Sequence, residues 1–91
     1  MCETMKEKII VVPNKMGLHA RPAMMLVQIT NKYQATIKII KDDFEVNAKS
    51  IMGIMTLAAA QGTELKFVAE GFDEIDVLAA VERLFNSNFG E

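Results

Sequence analysis

The chain contains a single histidine, His19, within the run Gly17-Leu18-His19-Ala20-Arg21-Pro22. A neutral imidazole carries a nucleophilic nitrogen, and histidine is among the side chains that form covalent intermediates. Arg21 brings a planar guanidinium whose fork matches phosphoryl oxygens. Pro22 favours a helix start, because its missing N–H costs nothing in a first turn. The residue before a proline is biased away from helical geometry, so the helix cap falls at either His19 or Arg21. Either choice places the imidazole beside unpaired backbone N–H groups at the positive end of a helix dipole, surroundings that hold phosphate. A nucleophile, an anion hole and a counter-charge therefore lie within three residues. They fit phosphoryl transfer, in which His19 attacks phosphorus and positioning with electrostatics does most of the rest. Taken singly, each part is ordinary. A lone histidine near a helix start commonly serves as a cap or a surface residue, and an arginine there is commonly solvated.

The elements that must position this run can be read from the apolar pattern. Residues 7–12, Glu-Lys-Ile-Ile-Val-Val, are rich in β-branched types and end at Pro13-Asn14, which reads as a strand and a turn. Lys15-Met16-Gly17 continues the loop. Ala23, Leu26, Val27 and Thr30, with Ala20 one turn earlier, give a helix to about Asn31. Ala35 to Lys41 is a second strand with Ile37 and Ile39 toward the core and Lys38 outward. Asp42-Asp43 signals a turn into a short return strand on which Phe44 and Val46 share a face. Ser50 is placed as the N-cap of a short helix from Ile51 to about Ala58, and Gly62 ends that stretch. Leu65, Phe67 and Ala69 alternate along a fourth strand punctuated by Gly71. Asp73 caps a last helix with Ile75, Leu78, Val81, Leu84 and Phe85 as its core stripe, and Asn86 to Glu91 is expected to fray. The order βαββαβα predicts an α+β open-faced sandwich: a four-stranded, mainly antiparallel sheet covered on one face by three helices.

Bulk properties narrow the function. Ninety-one residues make one small domain, 1–91, too small for a large enzyme with a buried cleft. With 51% hydrophobic and 24% charged residues the chain is globular rather than disordered. No apolar run reaches the roughly 18 residues of a membrane span, and the polar start from Met1 to Lys8 offers no signal-peptide core, so a cytoplasmic protein is expected. The net charge of −2 lacks the basic footprint of a nucleic-acid binder. One cysteine, Cys2 in a tail, and one histidine form no standard zinc site, and no metal or cofactor is expected.

On the helix after Ser50, Ile54 and Leu57 are expected to face the core, leaving Ile51, Met52 and Met55 outward. Seven methionines suit an adaptable binding surface, to which Met24 or Met25 would add. Burial of all of these side chains is the plainer alternative.

The run Gly17-Leu18-His19-Ala20-Arg21-Pro22-Ala23 resembles the active-site motif of HPr, the histidine-containing phosphocarrier of the bacterial phosphoenolpyruvate:sugar phosphotransferase system. Val46-Asn47-Ala48-Lys49-Ser50-Ile51-Met52-Gly53-Ile54-Met55 resembles the regulatory-serine segment of the Gram-positive-type members. Gly62 and the Ala69-Glu70-Gly71 turn also match, and the likeness runs from about Lys6 to Phe85. The resemblance implies that enzyme I phosphorylates His19 on Nδ1 and that the group passes to the IIA units of sugar permeases. It implies that Arg21 stabilises the phosphoryl group, helped by the backbone N–H groups of Ala20 and Arg21. It further implies that Ser50 is the target of an HPr kinase/phosphorylase, with a catabolite-control repressor as a further partner, and that Met24, Ile51, Met52 and Met55 form the docking patch. A monomer is expected, since a carrier exposes its site to several partners. Met16 departs from the family, which commonly carries Ser, Thr or Asn three residues before the histidine. Phe72 is also unusual and is read as an apolar residue near the end of the last helix, with no role.

Three rivals differ in class. A nitrogen-type or catabolite-control relay protein would share the build; the retained His19 excludes relatives that have lost the histidine, and Lys49-Ser50-Ile51-Met52-Gly53 favours the sugar system over the nitrogen one. An acylphosphatase would need an arginine-bearing loop after the first strand, and residues 13–18 contain none. A noncatalytic interaction module would tolerate replacement of His19.

Overall fold

A computed structural model describes residues 5–90 of the chain. Cys2 and Glu91 lie outside the described residues. The elements are β1 (Met5–Val11), α1 (Ala20–Thr30), β2 (Thr36–Lys41), β3 (Phe44–Asn47), α2 (Ile51–Thr56), β4 (Glu64–Glu70) and α3 (Glu74–Asn86), followed by a short 3₁₀ turn, Asn88–Gly90. This is the expected βαββαβα order. The sheet runs β1-β4-β2-β3 and every pairing is antiparallel.

Alternation fixes which face of the sheet is dry. Ile10 pairs with Leu65, Ile37 with Ala69, and Ile39 with both Phe67 and Val46, so the buried residues of four strands line up across one face. Ala23 and Leu26 of α1, Ile54 of α2, and Val77, Val81 and Phe85 of α3 cover that face. The opposite face stays open to solvent. It carries the ion pairs Lys38–Glu45 and Lys66–Glu7, along with exposed Ile9 and Val11.

Several local expectations are corrected. Ile75 is 65% exposed, and Glu74 and Val77 are buried instead. The Glu74 carboxylate turns back to accept the Gly71 N–H at 2.9 Å, which rotates Ile75 away from the core. Asp73 occupies the N-cap of α3 without capping it. Its carboxylate accepts from the N–H groups of Gln34 and Ala35 at 2.8 and 2.9 Å, tying the start of α3 to the approach to β2. Phe44, beside the Asp42-Asp43 turn at the closed end of the hairpin on the edge strand, is exposed although Val46 is buried. Ala20 also points to solvent. The C-terminal segment does not fray through Phe89. Positive φ at Asn88 and Phe89 folds the chain back, and the fully buried Phe89 ring meets Phe85 edge-on at 4.7 Å.

Candidate functional site

The loop that carries His19 is laced to the segment between α2 and β4. The Val12 N–H donates to Thr63 O and the Gly62 N–H to Val12 O, each at 2.9 Å, while Gln61 Nε2 donates to Pro13 O at 3.1 Å. The chain then turns: the Gly17 N–H donates to Asn14 O at 3.2 Å. Gly17 takes φ +70°, a left-handed conformation that glycine adopts without steric cost. A Cβ there would collide with the Ala59 carbonyl oxygen and lie 3.0 Å from the Ala60 Cα. The close approach is used at once, since the buried Leu18 donates its N–H to that same Ala59 oxygen at 2.9 Å.

His19 is the N-cap of α1, with extended backbone angles, and its carbonyl accepts the Ala23 N–H at 3.0 Å. The alternative cap, Arg21, lies inside the helix despite preceding Pro22. The first helical positions are therefore Ala20, Arg21 and Pro22. Pro22 is buried and has no N–H to satisfy. No side chain caps this helix, and its first turn holds no acidic residue. The N–H groups of Ala20 and Arg21 belong to the first-turn donors that lack an intrahelical acceptor. Arg21 is exposed and forms no ion pair among the described residues.

The imidazole is half-buried, with Nδ1 at 3.1 Å from Gly17 O. A carbonyl only accepts, so a hydrogen bond here requires the proton on Nδ1 and leaves the Nε2 lone pair free. Gly17 O is a shared acceptor. It also receives the His19 N–H at 2.9 Å and Nδ2–H of the buried Asn14 at 2.9 Å.

Ser50 caps α2, accepting the Gly53 N–H on Oγ at 3.1 Å. No hydrogen bond joins it to His19 or Arg21. Ile54 and Leu57 are buried, whereas Ile51, Met52 and Met55 are exposed, with Met52 at 76%. Met24 is half exposed on α1, which packs against α2, while Met25 leans on the core. The expected outward set thus lies on two adjacent helices. Met16, in the loop before His19, is 71% exposed and adds an apolar side chain to this end of the molecule. Asn14 was legible only as a turn residue; its link to Gly17 O depends on how the loop closes. Phe72 is exposed at 87%, before α3.

A family model described as the phosphotransferase-system HPr component phosphorylation site matches residues 6–87. The chain belongs to the HPr family. It is 48% identical over 84 residues to phosphocarrier protein HPr of Treponema pallidum, covering 92% of this chain and 96% of that one. Among solved structures, HPr-C-His from Thermoanaerobacter tengcongensis superposes with a TM-score of 0.91 at 50% identity, covering 94% and 97% of the two chains. The crystal structure of Bacillus subtilis Crh, a catabolite-repression HPr described as an intertwined, swapped dimer, superposes at 0.74 with 40% identity, covering 87% and 91%. The HPr family is that of the phosphocarriers of the phosphotransferase system, and its Crh members connect it to carbon catabolite regulation. Because a relative dimerises, the fold by itself does not dictate a monomer. No helix among the described residues is long and apolar enough to cross a membrane.

Proposed function

We propose that this chain is a cytoplasmic, single-domain phosphocarrier that takes a phosphoryl group from phospho-enzyme I on His19 and hands it to IIA units of sugar permeases. A ring nitrogen forms the N–P bond as the bond from phosphorus to the donor breaks, and the reverse exchange releases the group to the acceptor. The observation that carries this reading is the uncapped N-terminus of α1, with His19 at the cap and the exposed Arg21 two residues on. Three phosphoryl oxygens there find backbone donors at Ala20 and Arg21 and a guanidinium, without displacing an existing partner. Attack through Nδ1, as the resemblance implies, first requires the ring to leave Gly17 O and to exchange its proton through solvent from Nδ1 to Nε2, so that Nδ1 presents a lone pair.

The exposed apolar side chains Met24, Ile51, Met52 and Met55 supply the docking face for enzyme I and the IIA units. Ser50 is read as the target of HPr kinase/phosphorylase, and its phosphorylated form as a ligand of a catabolite-control repressor. Support for this comes from Ser50 Oγ at the start of α2 beside that apolar face, and from the likeness to Crh. A phosphate at this cap would keep the acceptor role and add charge next to the docking surface.

The test is incubation of the purified chain with phosphoenolpyruvate, Mg²⁺ and a bacterial enzyme I, followed by intact mass. One acid-labile phosphate, absent from His19→Ala, is expected. An unmodified mass beside a labelled control carrier would overturn the carrier reading.

A further inference from the structure

We infer that Asn14 is a positioning residue for His19, acting through the Gly17 carbonyl; this rests on His19 being the phosphoacceptor. Asn14 is 1% exposed and five residues before the histidine. Its Nδ2 donates to Gly17 O at 2.9 Å, and the same oxygen lies 3.1 Å from His19 Nδ1. The amide must present its nitrogen here, because the carbonyl has no proton to give. That leaves Asn14 Oδ1 buried without a donor among the described residues.

An orphaned buried acceptor destabilises a fold, so a position needed only for packing is better served by an apolar side chain. The amide is accounted for by what its other end does. Gly17 sits in a left-handed conformation pressed on Ala59, which fixes where its carbonyl can point. Asn14 holds that carbonyl oxygen with one hydrogen bond while the imidazole engages the same oxygen. The result is a ring held in one orientation, with the proton on Nδ1 and the Nε2 lone pair open. Release of this contact is a step the ring takes before Nδ1 can attack.

His19 is the chain's only histidine, so its ring signals in a two-bond ¹H–¹⁵N correlation spectrum are unambiguous. With the ring neutral, the native chain is expected to show the Nδ1–H tautomer as the major form. Asn14→Ala removes the donor, and Asn14→Asp keeps the shape but sets an acceptor against the carbonyl. In both, the Nδ1–H to Nε2–H ratio is expected to fall about two- to tenfold, the effect of weakening one neutral hydrogen bond. Backbone amide shifts of β4 and α3 should stay in place. An unchanged ratio in both folded variants, a native ring mainly in the Nε2–H form, or loss of the fold in both variants would each overturn the assignment. Enzyme I labelling of the native chain, run alongside, separates this result from failure of the carrier reading itself.

Discussion

Replacing Gly17 by alanine tests the link between the histidine loop and the segment that braces it, and Gly62 supplies the control. Both glycines have positive φ, +70° and +88°. Alanine in that region costs about 1–2 kcal/mol. Around Gly62 a Cβ meets nothing within 4 Å, so Gly62→Ala should lose only that conformational amount. At Gly17 the new methyl collides with the Ala59 carbonyl oxygen, a rigid backbone group, and something must shift. The shift takes away the acceptor of the Leu18 N–H, now held at 2.9 Å on a residue that is 4% exposed. Leaving that buried pair unmade adds about 1–3 kcal/mol. Gly17→Ala is therefore expected to lose about 2–5 kcal/mol in total, a large part of the roughly 5–15 kcal/mol that keeps such a domain folded. For a domain of this size each kcal/mol moves Tm by about 4–8 °C. Thermal unfolding followed by circular dichroism should then place Gly17→Ala about 4–24 °C below Gly62→Ala. Phosphoryl acceptance by the folded fraction should fall only in the Gly17 variant, because only Gly17 carries the carbonyl that touches His19 Nδ1. Equal melting temperatures for the two variants would refute the claim that close approach, rather than backbone angle, requires glycine at position 17.

Ser50→Ala removes the acceptor for the Gly53 N–H and is expected to cost about 1 kcal/mol in urea unfolding, whereas Ser50→Asp keeps an acceptor and retains stability; an alanine variant as stable as the parent would dismiss the cap. Asp73→Ala strips a carboxylate from the N–H groups of Gln34 and Ala35 and should cost about 1.5–3 kcal/mol, with faster amide exchange at those two residues as its local signature. Phe89→Ala empties a fully buried site against Phe85 and should cost about 3–5 kcal/mol by thermal or denaturant unfolding. A loss below about 1 kcal/mol there would mean that the C-terminal turn is not packed as described.

Legibility in the sequence followed the range of the interaction that decides each feature. Leu65, Phe67 and Ala69 announce their strand because period two alone sorts buried from exposed, and all three are fully buried. The Ser50 cap and the inward pair Ile54 and Leu57 were readable for the same reason, since both are settled within one turn. The first turn of α3 was not. Ile75 looks like the head of an apolar stripe, but the Glu74 carboxylate bonds back to the Gly71 N–H, and the stripe runs through Val77, Leu78 and Val81 instead. Phe89 was hidden by its polar neighbours Ser87 and Asn88, and only the left-handed turn that returns it to Phe85 makes it core. At the site, the grouping of His19, Arg21 and Pro22 was plain in the sequence, while the choice of cap was not. The bias of a residue before proline is a preference, and packing of Pro22 into the core overrides it by drawing Arg21 into the helix. Asn14 was invisible as a partner of the histidine because the carbonyl that joins them is placed by contact with Ala59, more than forty residues away.

The three helix starts sharpen why the first is the one suited to an anion. α2 begins at Ser50, whose own oxygen already takes the Gly53 N–H. α3 carries Glu74 and Asp76 in its first turn, so negative charge is built in there and a further anion is repelled. α1 has neither a side-chain cap nor an acidic residue, and it has an exposed arginine. An uncapped helix start loses the roughly 1 kcal/mol that a serine or aspartate at the cap would contribute. His19 forgoes this at its own position while its ring is turned toward Gly17 O instead of the first-turn amides. A histidine kept for stability would gain from capping those amides or would be replaced by a residue that can. The arrangement makes physical sense if the missing acceptor is supplied from outside and removed again, which is what a group carried on His19 would do.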